Sequence, residues 1–309
     1  MSRPLPVPIP MRQNDEDLLK ILRAGESAHA RARRLASAHI SLSFLLAAGA
    51  VLGVFVTAVQ DALTVAGFLW ALAYAAGASS WTEREFRRAA LLQETFDTRL
   101  YGLAWNEVLA GTVPSADEIS RLARRYQGSA ERLRDYYEVP ELPRPLDVLS
   151  CILQNLAWGA RVRRRFAAAV QGGIVVWVAA GVLVGVVTGA TLVSVLVDWF
   201  VPSLGLLLLG VDTYRTQRDT AAVREHARQV ILPRMREYAE AGMPAAETPG
   251  LLVLARQAQD VLLRTRLGQA RVPNWFFKAF LDSDRADFAA AMDEVGGWLP
   301  RPPHPPQPR

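Results

Sequence analysis

The sequence predicts an all-α integral membrane protein with two transmembrane helical hairpins, four spans in total, and a helical cytoplasmic domain. Four apolar runs occur in two pairs, and each run is close to the ~20 residues that cross ~30 Å of hydrocarbon. They cover residues 40–59, 63–79, 167–187 and 192–211. None of the 35 Lys and Arg residues lies in a run or in the short tip between paired runs. No segment shows strand-like alternation, so the rest of the chain is predicted to be helical as well.

The distribution of basic residues predicts the orientation in the membrane. Lys and Arg occur before residue 40, between residues 80 and 166, and after residue 211. Because short segments rich in Lys and Arg stay cytoplasmic, both termini and the central segment are predicted to be cytoplasmic. A removable signal peptide is not expected, since the first run starts late and lacks a cleavage site. Six regions follow: 1–39, an arm and a cytoplasmic helix; 40–79, hairpin 1; 80–166, a central helical segment; 167–211, hairpin 2; 212–298, C-terminal helices; and 299–309, a Pro-rich tail.

The helices of the first half have recognisable start signals. Asn14, followed by three acidic residues, predicts the N-cap of a helix that runs into the first span. Apolar residues at helical spacing predict a long helix over residues 80–110. Ser115 and Glu118 have the spacing of a capping box and start the next helix, and residues 128–138 predict a further short helix.

The segments that flank the second hairpin are also predicted to be helical. One apolar stripe continues through an arginine cluster into the third span; the stripe is Leu149, Ile152, Leu153 and Leu156, and the cluster is Arg161, Arg163, Arg164 and Arg165. After the fourth span, a charged helix is predicted over residues 213–241, a Gly/Pro linker over 242–250, a helix to residue 267 and a last helix near 284–295. The arginine cluster and the pI of about 9.7 match the anionic inner surface of a membrane.

Signatures of enzymes and metal sites are missing from the sequence. There is no phosphate-binding Gly-rich loop, no H-E-x-x-H and no G-x-S-x-G. The four histidines are scattered, and the single cysteine, Cys151, excludes an internal disulfide framework. We therefore expect no enzymatic activity, no cofactor and no metal. A nucleic-acid polymer is not an expected partner, since membrane topology explains the basic residues.

Asp198 is the most informative polar residue, because it lies inside the fourth apolar run, where a charge costs several kcal/mol. Pro202 removes a helix hydrogen bond and can kink the span. In one interpretation both residues line an aqueous path that opens by bending. In the other, the span begins at Trp199, an interfacial residue, and Asp198 lies in the outer head-group region.

Gly181, Gly185 and Gly189 are spaced four residues apart in and just after the third run. Small residues at this spacing permit close helix packing. The series predicts a packing seam either within the protein or between copies. The partners that we expect are the lipid bilayer and further copies of the chain.

Several short motifs occur in an order that agrees with the predicted topology. They are Arg12-Gln13-Asn14, Gln93-Glu94-Thr95-Phe96-Asp97, Trp105-Asn106, Tyr136-Tyr137, Cys151 with Asn155 and Trp158, the segment from Arg256 to Arg264, and Val272-Pro273-Asn274-Trp275-Phe276-Phe277. Together they resemble the SMODS-associating four-transmembrane effector family over about residues 12–292. The chain departs from the family pattern after Cys151, where Ile152, Leu153 and Gln154 stand in place of a Gln-Arg pair, and after the Trp, where Gly159 stands in place of an Asp.

The resemblance implies a bacterial antiphage effector that acts beside an enzyme making cyclic oligonucleotide messengers. It implies a multi-pass protein of the inner (plasma) membrane that forms or gates a pore, so that the infected cell stops growing or dies. A cyclic oligonucleotide is then the expected ligand, because its phosphates favour Arg and its bases favour aromatic faces. The candidate ligand residues are Trp105, Asn106, Tyr136, Tyr137, Arg161, Arg256, Arg264 and Trp275. Their alternative role is to pack the core or cap turns.

Two other functions stay open from the sequence. A membrane-anchored receptor or scaffold would signal through cytoplasmic partners without a pore. A small transporter is the third hypothesis, although four spans with one interruption near Pro202 are few for a monomeric transporter.

Overall fold

The structure is a computed structural model, and it describes residues 7–53, 62, 65–66, 69–70, 79–196, 200–267 and 272–298. Regular structure among these residues is helical, as predicted. The helices are α1 (Ile9–Arg12), α2 (Glu16–Gly53), α3 (Ser79–Tyr101), α4 (Glu107–Ala110), α5 (Ala116–Ala123), a 3₁₀ turn (Ala130–Leu133), α6 (Leu146–Thr188), α7 (Leu192–Val195), α8 (Val201–Glu240), α9 (Thr248–Leu267), α10 (Asn274–Ala279) and α11 (Leu281–Gly297). The chain divides into two compact units. The first unit comprises residues 11–136, and the second comprises residues 1–10 and 137–309.

Helices α2, α3 and α5 form the core of the first unit. α2 buries Ala24, Ala28 and Ala32 at four-residue spacing, and Gly25 lies against Leu92 of α3. Small side chains on one helical face let two helix axes approach closely. The predicted apolar face of α3 is buried in this core.

The N-terminus of α2 differs from the prediction. The amides of Leu18 and Leu19 bond to the carbonyl of Asp15. The side chain of Asn14 instead reaches Asp135, donating to its carboxylate at 2.9 Å and accepting from its backbone amide at 3.0 Å. The predicted N-cap role of Asn14 is therefore wrong, because Asp135 offers this side chain two hydrogen bonds and the helix end offers it one.

Helix α3 ends well before residue 110, the end that the sequence predicted. Gly102 has a φ of 61°, and the amides of Gly102 and Leu103 bond to the carbonyls of Arg99 and Thr98 at 3.4 and 3.0 Å. These two bonds form the Schellman arrangement, in which a left-handed residue ends a helix.

Helix α5 begins at the predicted capping residue. Ser115 Oγ accepts from the amide of Glu118 at 3.2 Å, while the carboxylate of Glu118 pairs with Nε of Arg88 on α3 at 2.7 Å. Further along, a short 3₁₀ turn stands where a helix over residues 128–138 was predicted. Asp135 has a φ of 49°, a conformation that an α-helix cannot continue through.

Helices α6 and α8 form a long antiparallel pair in the second unit. Gly159 of α6 lies against Arg224 of α8, and Ile174 lies against Gly210, so residue numbers rise along one helix as they fall along the other. The 43 residues of α6 extend over ~65 Å, about twice the thickness of a membrane core. α6 is therefore long enough to cross a bilayer and continue beyond it.

α6 also has the apolar character of a membrane span. Among the described residues, α6 is the one helix with an 18-residue segment apolar enough to cross a membrane. The mean hydropathy of this segment is 2.2, and 11% of it is buried within the protein. The third predicted run, residues 167–187, lies within this helix. The other three runs include residues outside the described part of the chain, so their membrane spans stay predictions.

The glycine series of the third run has two roles in the structure. Gly185 lies against Val195 of α7, which is a packing contact inside the hairpin. Gly189 has a φ of 64° and ends α6 as its C-cap. An internal seam is thus present at Gly185, and a seam between copies stays a prediction.

The N-terminal part of α6 is enclosed by other helices. Its predicted apolar stripe is buried: Leu149, Ile152, Leu153 and Leu156. α9 packs against α6 and α8, and α11 packs against α6 with Phe288, Met292 and Val295 buried. α9 begins at Thr248, inside the predicted linker, and α8 continues unbroken from the fourth apolar run into the charged segment.

Candidate functional site around Arg224

The residues predicted from the sequence as ligand contacts are divided between the two units. Trp105, Asn106 and Tyr136 belong to the first unit, and the other five belong to the second: Tyr137, Arg161, Arg256, Arg264 and Trp275. Asp198 lies outside the described residues. Pro202 is described by its backbone alone, in the first turn of α8. The pore or gating roles of Asp198 and Pro202 stay predictions.

The candidates of the first unit make contacts that support local structure. Trp105 Nε1 donates to the carbonyl of Gly111 at 2.7 Å. Asn106 caps α4 through its side-chain oxygen. The ring of Tyr136 meets Phe96 edge to face, with the centroids 5.5 Å apart. These contacts match the alternative role, in which such residues pack the core and cap turns.

Two candidates of the second unit have polar partners nearby. Asn155 Nδ2 donates to the hydroxyl of Tyr137 at 2.7 Å. Arg256 pairs with Asp260, one turn on, at 2.7 Å. The Arg256 charge is therefore balanced within α9.

Of the other three candidates, Arg161 pairs with acidic residues of α11, and the remaining two are more exposed. Arg264 is exposed on α9, and Trp275 on α10 is 71% exposed. The Trp275 ring contacts Phe276, which in turn meets Phe166 of α6 with centroids 5.3 Å apart. α10 thus presents an exposed tryptophan beside the start of the third apolar run, where an interfacial aromatic residue is expected.

The buried face of α8 contains two polar residues that the sequence analysis did not single out. Apart from Ala239, the buried positions follow a seven-residue repeat with steps of four and three; they are Gln217, Ala221, Arg224, Ile231, Met235 and Tyr238. Such a stripe is normally apolar, because it faces the neighbouring helices. Gln217 and Arg224 occupy the part of this stripe that is nearer to the hairpin.

The guanidinium of Arg224 is held by neutral acceptors. Its Nε and Nη2 both donate to Oγ1 of Thr265 on α9, at 3.0 and 2.8 Å, and Nη1 donates to the carbonyl of Asn155 on α6 at 3.4 Å. A guanidinium has five N–H donors, so these three contacts do not use all the donors of Arg224. Among the described residues, no carboxylate lies within ion-pair distance of Arg224.

The electrostatic surroundings of Arg224 are positive. Burial lowers its pKa well below the ordinary value, and the nearby charges of Arg163 and Arg266 lower it further. Arg163 donates from Nη1 to Oε1 of Gln217 at 2.6 Å, and burial lowers its pKa to about 10. A buried arginine and a half-buried arginine therefore lie close together between α6 and α8.

Gly159 is the residue that makes room for Arg224. A Cβ built on Gly159 would overlap Nη1 of Arg224 and lie 2.8 Å from Cζ. The position therefore accepts no side chain while Arg224 keeps its place. The resemblance described above would place an Asp at this position, and the Gly found here lies directly against the buried guanidinium.

The other arginines of the cluster on α6 are paired with acids. Arg165 lies 3.0 Å from Asp284 of α11, and Arg161 lies 3.7 Å from the same carboxylate and pairs with Asp287. These ion pairs hold α11 against α6. Arg224 differs from these two arginines, because carboxylates balance the charges of Arg161 and Arg165 and the described acceptors of Arg224 are neutral.

Arg164 completes the cluster and points to α8. It lies 3.6 Å from Glu225. Glu225 also pairs with Arg228 of the next turn at 3.3 Å. The cluster as a whole therefore joins α6 to both α8 and α11.

A second basic feature lies in the first unit. An open cavity of about 580 Å³ is lined by Arg31, Arg33, Arg34, Arg125 and Arg132, together with Tyr126 and Glu26. Burial raises the pKa of the Tyr126 hydroxyl, and the charge of Glu26 raises it further. This groove is solvated, so its charges carry a smaller desolvation cost than the charge of Arg224.

The chemistry that the Arg224 site offers is anion recognition. The site contains the guanidinium N–H donors of Arg224 and Arg163, the side-chain amide of Gln217 and the hydroxyl of Thr265. Among the described residues, no three His, Cys, Asp or Glu side chains lie together as a metal site. The sequence contains a signal for this site, because Gln217 and Arg224 occupy positions of the seven-residue repeat of α8. A search for an apolar helix face considers the apolar residues alone, so these two polar residues were not singled out.

Comparisons with known proteins agree over most of the chain. The family model described as the SMODS-associating 4TM effector domain matches residues 7–295. A protein of Bacillus cereus (strain VD146), described as a probable CBASS effector molecule, is 23% identical over 213 residues, which are 65% of this chain and 71% of that relative. No solved structure matches the chain significantly.

Proposed function

The chain belongs to the SMODS-associating 4TM effector family, and on this basis we propose that it is a membrane effector of bacterial antiphage defence. In response to a cyclic nucleotide signal it forms or gates a pore in the inner membrane, and the infected cell stops growing or dies. The described relative, a probable CBASS effector molecule, supports the defence role.

The observation that carries the proposal is the continuity of α6. This helix begins among buried side chains, passes the arginine cluster, and continues without a break through an apolar segment that the protein leaves largely uncovered. α8 runs antiparallel to it with the same continuity. A change at the arginine cluster therefore moves rigid helices that enter the membrane, and ligand binding shifts the balance between closed and open arrangements.

The membrane part is proposed to contain four spans with both termini cytoplasmic. The exposed apolar side chains of the second hairpin support a lipid-facing surface; they include Val175, Val182, Leu183, Val186, Val187 and Leu192. An uncovered band of this kind is unusual for a soluble protein. Four spans enclose little space, so we propose that several copies of the chain surround the pore.

Asp198 and Pro202 are proposed to take part in the pore. A carboxylate inside an apolar run is costly unless it faces water or protein, and a proline beside it allows the helix to bend. In this proposal the protein acts by opening a path and carries out no catalysis.

A second candidate function is a membrane-anchored receptor or scaffold. The ion pairs that join Arg161 and Arg165 to Asp284 favour it, because they make α11 a part that could be released toward a cytoplasmic partner. Replacing both hairpins with unrelated ones would preserve function in a scaffold and abolish function in a pore.

The decisive experiment is leakage of dye and ions from liposomes that contain the purified full-length protein. Each of a panel of cyclic di- and trinucleotides is added in turn. Leakage with one nucleotide alone supports a gated pore, and an altered ion preference in Asp198→Asn, with unchanged gating, supports Asp198 in its path. No leakage with any nucleotide would favour the scaffold.

A further inference from the structure

We propose that Arg224 and Arg163 form an anion site that receives one phosphodiester group, presented either by a cyclic nucleotide or by an anionic lipid headgroup. The proposal rests on the function proposed above and deepens it by naming the receiving residues and the chemistry of the ligand. The site lies in the second unit, where α6, α8 and α9 meet.

The first support is the unbalanced charge. Arg224 is 6% exposed, and within the described part of the chain its donors meet the hydroxyl of Thr265 and the carbonyl of Asn155, with no carboxylate. A buried cation without a counter-charge carries a large desolvation cost. The neighbouring charges of Arg163 and Arg266 increase this cost. A bound anion would supply the counter-charge and offset this cost, so binding of an anion beside Arg224 is favourable.

The second support is the geometry of the donors. Nε and Nη2 of Arg224 converge on a single oxygen, Oγ1 of Thr265. This edge of a guanidinium is the one that binds two oxygens of a phosphate side by side. Thr265 Oγ1 has its own partner in the carbonyl of Leu262 at 2.9 Å. The hydroxyl can therefore give way to a phosphate without losing its hydrogen bond.

The third support is access. Arg224 itself is buried, but the groups around it are only half-buried: Asn155, Gly159, Arg163, Thr265 and Arg266. Gly159 has no side chain, and the guanidinium of Arg224 fills the space that one would take. A phosphate would therefore approach Arg224 past these half-buried groups.

The position of the site explains why a phosphodiester is the fitting anion. Arg163 lies one turn before the third apolar run, at the level where lipid phosphates lie in the predicted topology. A cyclic nucleotide carries the same group in soluble form. Both sources present two non-bridging oxygens to the guanidinium, and the difference between them is settled by experiment.

The experiment measures binding and thermal stability of the full-length protein in a neutral detergent. The ligands are inorganic phosphate, compared with chloride at matched ionic strength, and the panel of cyclic di- and trinucleotides. A second arm uses nanodiscs of phosphatidylcholine with and without phosphatidylglycerol. A ligand that binds the folded protein raises the unfolding temperature, so the wild type is expected to be stabilised by phosphate beyond chloride and by one of the two phosphodiester sources.

Two variants alter the site in different ways. Arg224→Gln removes the receiving charge. Gly159→Asp keeps every arginine in the sequence, but its side chain displaces the guanidinium of Arg224 and places a carboxylate beside it, which competes with an anionic ligand. Each is expected to lower the affinity for the phosphodiester at least about tenfold. Arg218→Gln, an exposed arginine of the same helix, is the matched control and is expected to retain the wild-type affinity.

Several results would overturn the proposal. One is that phosphate and both phosphodiester sources stabilise the wild type no more than chloride does. Another is that Gly159→Asp, which tests the site even if Arg224→Gln does not fold, binds the ligand with unchanged affinity. A loss in Arg125→Gln, in the open groove of the first unit, with none in Gly159→Asp would place the ligand elsewhere.

Liposome leakage separates this proposal from the proposed function. If a nucleotide opens the wild type and Gly159→Asp at the same concentration, and phosphatidylglycerol stabilises both proteins equally, the anion site is wrong and the pore stands. If phosphate binding depends on Arg224 but no ligand causes leakage from the wild type, the site stands and the pore is wrong.

Discussion

Arg224 lies against the bare backbone of Gly159, in the space that a side chain at residue 159 would fill. The two residues belong to different long helices, and both helices lead into the second hairpin. Arg224 can therefore occupy this buried position on α8 because residue 159 on α6 is a glycine. It marks the point at which a change in charge would act directly on the packing of the two helices.

Gly159→Ala is expected to destabilise the protein by about 1–3 kcal/mol, because the added methyl group forces Arg224 out of its contacts with Thr265. Thermal unfolding in detergent measures the effect. Gly172→Ala, on the same helix with nothing within 4 Å of the added atom, is the control and should be neutral or slightly stabilising. Equal unfolding temperatures for the two variants would contradict the tight fit at residue 159.

Asp147 in the first turn of α6 should make stability depend on pH. Burial raises the pKa of this carboxyl above its ordinary value of 3.8, although a hydrogen bond from the amide of Val148 and the charge of Arg144 act in the opposite direction. The folded protein therefore holds the proton to higher pH than the unfolded chain, and the stability that the proton contributes is lost as pH rises above 3.8.

Asp147→Asn removes this titration. The unfolding temperature of the variant relative to the wild type is expected to be higher at pH 7 than at pH 4. A difference between the two proteins that is the same at both pH values would show that Asp147 titrates alike in the folded and unfolded states.

Asp284→Asn should loosen α11, because this buried carboxylate is shared by Arg161 and Arg165. The arginines are partly exposed, so the expected cost is about 1–3 kcal/mol, below that of a fully buried pair. Limited proteolysis between α9 and α11 is the measurement. Asp282→Asn, an exposed acid of the same helix, is the control, and equally fast cleavage of both variants would contradict the role of the ion pairs.

Asn14→Ala should cost about 1–2 kcal/mol, because it removes two hydrogen bonds to Asp135. Chemical denaturation of the full-length protein measures it. Ser129→Ala changes a residue of the nearby turn whose side chain makes no capping bond and serves as the comparison. A loss no larger than that of Ser129→Ala would mean that the Asn14 contact contributes little.

The helical character of the chain and many of its local features were predictable from the sequence. The stripe from Leu149 to Leu156 is buried, and Ser115 caps α5, because a helix face and a helix cap depend on residues within one or two turns. The end of α3 at Gly102 was missed, although a glycine followed by a break in the apolar pattern is a local signal.

What only the tertiary structure decided is which distant residues meet. Asn14 had a plausible local role as a helix cap, yet its partner is Asp135, far along the chain. Arg224, Gly159 and Thr265 come from three helices, and their meeting depends on how those helices are placed against one another in register and rotation. Helical periodicity predicts which face of a helix is buried, but the free energy that selects its neighbours comes from packing and charge burial across the whole unit. For this reason the sequence by itself determined the helical character and the apolar runs, and only the structure brought Arg224, Gly159 and Thr265 together.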